Sequence, residues 1–146
     1  MFIKQLSVFL ENSPGRMISV IRSLEEEGID IRALSLSDTS DFGILRLIVS
    51  KPEQACEALR AKGSTVRITE VLGIGIADQP GGLGKAVQLL SEQSVNIEYM
   101  YAFTSPYNNN AYVILRVEDN EAAAAVLQAG GVELLSPEDV YAMGKE

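Results

Sequence analysis

The chain has 146 residues, 47% of them hydrophobic, which is enough apolar material for a buried core in one domain or in two small ones. It has no His and a single Cys56, so an internal disulfide and imidazole chemistry are excluded; no apolar run nears the ~20 residues of a membrane span and no signal-peptide pattern opens the chain, so a cytoplasmic location away from membranes is expected. The net charge of −8 comes wholly from the second half, with 9 basic and 9 acidic residues over 1–68 against 3 and 11 over 69–146, and an acidic chain without a basic stripe is not expected to bind nucleic acid or an anionic membrane surface.

Residues 3–10 read as a strand that Asn12-Ser13-Pro14-Gly15 breaks. Ser13 is expected to cap a helix with Pro14 at its first position. Met17, Val20, Ile21 and Leu24 follow at helical spacing, and Gly28 ends the pattern. Ile29, Ile31, Ala33 and Ser35 are expected on one face of a second strand. Asp38 to Asp41 supplies a turn, Phe42 to Val49 a third strand, Pro52 to Lys62 a second helix closed by Gly63, and Thr65 to Thr69 a fourth strand. The order is β-α-β-β-α-β. The second half repeats it: a strand over 70–77, a helix over 80–93, a strand over 96–104, a turn over 106–110, a strand over 111–117, an alanine-rich helix over 119–129 and a short strand over 132–135. Ser136-Pro137-Glu138-Asp139 then starts one more helical turn or two, with a Ser cap and acids in the first turn. Between Thr65 and Ala77 there is no linker.

The halves match in register. Leu6 to Gly15 is answered by Leu72 to Gly81, with Pro80 falling 66 positions after Pro14, and the same offset carries Gly28-Ile29-Asp30-Ile31 onto Ser94-Val95-Asn96-Ile97. A repeat of this length is too long for a solenoid unit and suits a duplicated small domain. Its most distinctive part is the loop into the first helix of each half, Glu11-Asn12-Ser13-Pro14-Gly15-Arg16-Met17 and Ala77-Asp78-Gln79-Pro80-Gly81-Gly82-Leu83. The first N–H groups of a helix lack partners and carry about half a positive charge, so a carboxylate or phosphate can dock where glycine leaves room. A Pro-Gly that simply starts a helix, and turn residues at Asp30 and Asn96, are the plainer readings; duplication of the whole pattern weighs against them. The glycines at 73, 75, 81, 82 and 84 match neither GxGxxG nor a Walker loop. Tyr99, Tyr101 and Phe103 share a strand face, Glu25-Glu26-Glu27 reads as a solvated helix end, and Cys56 reads as a small core residue.

Strand, Pro-Gly turn, helix and Gly-Ile-Asp-Ile resemble the ACT domain, the small ligand-binding module of amino-acid metabolism, and the second half, with Asp78-Gln79-Pro80-Gly81 and Asn96-Ile97, is similar. The resemblance implies two ferredoxin-like βαββαβ sandwiches, an α+β fold, with residues 1–68 and 69–146 as the two domains. It implies an amino acid bound where one module's first loop meets the second strand of a neighbour. Carried over by position, this nominates Asn12, Gly15, Arg16, Met17, Asp30 and Ile31 in the first half and Asp78, Gln79, Gly81, Gly82, Leu83, Asn96 and Ile97 in the second. Asn12, Asp30 and the bulky Arg16 depart from the family's usual Asp, Asn and small residue. The expectation is a non-catalytic sensor of a free amino acid, a homodimer without cofactor or metal, regulating amino-acid metabolism through ligand-linked association. The alternative is a subunit that acts by contact with a biosynthetic enzyme, its pockets vestigial. The acids and tyrosines of the second half lean towards a ligand with a polar, basic or aromatic side chain.

Overall fold

The structure, a computed structural model, describes residues 2–11, 13–38, 42–104 and 110–142. Its elements are β1 (Ile3–Glu11), α1 (Arg16–Glu26), β2 (Ile31–Asp38), β3 (Phe42–Val49), α2 (Pro52–Ala61), β4 (Thr65–Ala77), α3 (Gly82–Glu92), β5 (Ile97–Thr104), β6 (Asn110–Val117), α4 (Asn120–Ala129), β7 (Glu133–Leu134) and α5 (Pro137–Ala142). Two compact units result, Lys4–Thr69 and a second made of Met1–Ile3 with Glu70–Glu146. Each is a βαββαβ unit with an antiparallel sheet.

In the first unit the strand order is β2-β3-β1-β4. Leu6 and Val8 of β1 pair with Leu47 and Leu45 of β3, and this apolar face is closed by Val20 and Leu24 from α1 and Ala55, Cys56 and Leu59 from α2. Cys56 is indeed a core residue, 3% exposed. In the second unit the order is β5-β6-β4 with β7 on the other side of β4. Its core joins Leu72 and Ile74, Val113, Leu115 and Val117 to Ala86 and Leu90 of α3 and Ala123 and Leu127 of α4.

Several expectations need correction. Ser13 does not cap α1 and Pro14 is not its first residue. Instead Ser13-Pro14-Gly15-Arg16 is a tight turn, Arg16 N–H donating to Ser13 O at 3.5 Å and Gly15 holding φ 89° and ψ −12°. Pro at the second and a left-handed Gly at the third position define a type II turn, which explains the dipeptide better than helix entry does. Ser136, by contrast, caps α5 as read, its Oγ accepting from Asp139 N–H at 3.1 Å. The separate strands expected over 65–69 and 70–77 are the single strand β4. In β2 the register slips between Ile31, opposite Val49, and Ala33, opposite Ile48. That bulge turns Ala33 to the face opposite Ile31, because one extra residue reverses the alternation. The turn residues expected at 39–41 and 106–109 lie outside the described residues.

Candidate functional site

Both first loops fold alike. In the second, Gly82 N–H donates to Gln79 O at 3.1 Å, and Gly81 stands at φ 90° and ψ −13°. Gly15 and Gly81 therefore occupy the same left-handed conformation, one that L side chains adopt only at a cost. Neither α1 nor α3 has a side-chain cap or an acidic residue in its first turn; the first amide of each, Arg16 or Gly82, is taken by the turn, so the amides that follow it and the positive end of the dipole are left to a ligand or to water. The two loops then part. A Cβ on Gly82 would stand 2.3 Å from the Ala77 carbonyl oxygen, whereas the first unit has Arg16 at the matching place, with the longer 3.5 Å turn bond.

A cleft opens at the start of each helix. That of α3 encloses about 360 Å³ between Gln79, Gly81, Gly82 and Lys85 on one side and Gly131 and Val132 on the other. That of α1 encloses about 300 Å³ and is bordered by Arg16, Met17 and Glu11 and by Leu36, Asp38 and Gly43 of the β2–β3 hairpin. Gly15 shapes the turn without bordering the cleft, and Asp78 is exposed and likewise off the α3 cleft, as is Leu83, 40% exposed. Asn12 lies outside the described residues.

The nominated strand residues are elsewhere in their units. Helix α1 runs away from its loop, Ile29 N–H bonds back to Leu24 O at 3.0 Å, and β2 starts at that far end. Asp30 is held there: its N–H donates to Ser50 Oγ at 3.1 Å, its carbonyl accepts from Ser50 N–H at 3.0 Å, and its carboxylate accepts from Arg32 Nη1 at 3.3 Å. From Asp30 to Asp38, which borders the cleft, is about 25 Å of extended chain. Asn96 and Ile97 likewise border a different hollow of about 430 Å³ with Val87, Ser91 and Val95. The start of the second strand is thus not beside its own unit's first loop.

Lys85, Asp38, Leu36, Gly131 and Val132 are cleft residues that sequence reasoning missed. Lys85 was legible, since it falls one helical turn after Gly81; the others depend on pairing that no short motif encodes. Neither Arg16 nor Lys85 makes an ion pair among the described residues. Tyr99, Tyr101 and Phe103 border none of these openings. Phe103 stacks on Tyr112 with ring centroids 5.6 Å apart, on the face opposite the core residue Met100. Among the described residues no group of three His, Cys, Asp or Glu is arranged to hold a metal, and no helix is long and apolar enough to cross a membrane.

Solved structures extend this picture. A protein from Bacteroides thetaiotaomicron is 43% identical, with a TM-score of 0.91 over 97% of this chain and 96% of its own. The ligand-free regulatory subunit of aspartate kinase from Thermus thermophilus is 22% identical, with a TM-score of 0.63 over 88% of this chain and 93% of its own. The corresponding subunit from Thermus flavus is 20% identical, with a TM-score of 0.61 over 90% and 94%. At such identities the likeness to the two Thermus proteins is one of fold. No curated protein matches significantly. The profile of the ACT domain pair matches residues 1–143, and the chain belongs to that family.

Proposed function

We propose that the chain is a non-catalytic regulator that binds a free amino acid at the clefts where α1 and α3 begin. The observation that carries this is the repeated type II turn, with Gly15 and Gly81 at φ 89° and 90°, set before helices whose first amides have no side-chain partner. Such amides suit the carboxylate of a zwitterion, and strand or turn carbonyls suit its ammonium group. Because Asp30 and Ile31, or Asn96 and Ile97, stand at the far end of their own units, the complete pocket takes its second-strand residues from another copy of the chain, and binding and association are then linked.

Isothermal titration calorimetry against the proteinogenic amino acids, with sedimentation run in parallel, tests the proposal. The expected result is one ligand that binds at micromolar to millimolar concentration and shifts the chain towards the dimer. No binding to any of them, or binding that leaves the association constant untouched, would refute it. The second reading is a subunit that works by contact with a biosynthetic enzyme; the solved relatives described as regulatory subunits of aspartate kinase favour it. A stable enzyme partner captured equally with and without amino acid would decide for that reading.

A further inference from the structure

We draw no further inference here: the strongest candidate, the apolar patch that Leu34 and Leu36 expose on the edge strand β2, carries nothing because nothing in the structure shows what covers it.

Discussion

Replacing Gly82 with Ala tests whether the α3 loop is built around the absence of a side chain. Helix propensity alone favours the change by at most about 1 kcal/mol, the difference in a helix interior, and by less at Gly82, the first residue of α3. Against that, the new methyl carbon would lie 2.3 Å from the Ala77 carbonyl oxygen, and a backbone oxygen cannot swing aside as a side chain can. Restoring contact distance requires the turn to open by most of an ångström, at a cost of about 1–3 kcal/mol typical of overpacking. The first unit shows the direction of relief: with Arg16 at this place the turn bond is 3.5 Å, against 3.1 Å at Gly82. We expect a net loss of about 1–2 kcal/mol, a fall of several degrees in melting temperature, and weaker amino-acid binding. Urea denaturation with calorimetry reads both. A variant as stable as the parent, or more so, would show that the carbonyl yields freely and that the steric reasoning is wrong.

Other substitutions separate packing from conformation. Gly81→Ala meets nothing within 4 Å but must adopt φ 90°, so it should cost about 1 kcal/mol through strain alone, measurable by the same denaturation. Gly73→Ala drives a methyl group into Ile3 and Leu135, both buried, whereas Gly75→Ala meets the movable carboxylate of exposed Glu133; the first should lower the melting temperature clearly and the second hardly. Leu24→Ala and Leu127→Ala, each at a fully buried position in one unit, should each cost about 2–5 kcal/mol, and a single cooperative transition in both would show that the units unfold together. Glu26, hydrogen-bonded by Lys62, and Glu53, hydrogen-bonded by Lys4, have carboxyl pKa values held below the ordinary one. Their contribution to stability is complete above the unfolded carboxylate pKa and is lost as pH falls through the lowered folded values. Both are exposed, so acid titration of the melting temperature should show only a shallow slope below about pH 4.5, the ordinary value, and Lys62→Met with Lys4→Met should flatten it.

Element order and the internal repeat were readable because β1, β3 and β6 are short apolar runs bounded by turn residues, because burial imposes a 3.6-residue period on α1 and α2, and because Pro-Gly and Gly recur at fixed offsets. The same Pro-Gly was misread as helix entry, since a type II turn and a first-position proline share a dipeptide and differ only in the hydrogen bond from Arg16 to Ser13. The reversal of Ala33 escaped because a bulge leaves composition untouched. At the clefts, Gly81, Gly82, Arg16 and Met17 follow from local sequence. Asp38, Gly131 and Val132 do not, for they arrive through hairpin and strand pairing between segments far apart in the chain. Asp30 and Asn96 stand just before β2 and β5, at the end of their own unit away from its first loop, a placement that depends on how the helix between loop and strand runs and that no local motif encodes.

The first residues of the chain belong to the unit formed by its last: Met1–Ile3 group with Glu70–Glu146, Phe2 packs on that unit's core, and Ile3 fills the space beside Gly73. During synthesis, therefore, Phe2 and Ile3 emerge before Lys4–Thr69 and must wait until the segment from Glu70 onward has followed before their partners are available. A cleavage after the third residue would then wound the second unit, and a chain divided between Thr69 and Glu70 would yield a second fragment missing part of its own interior.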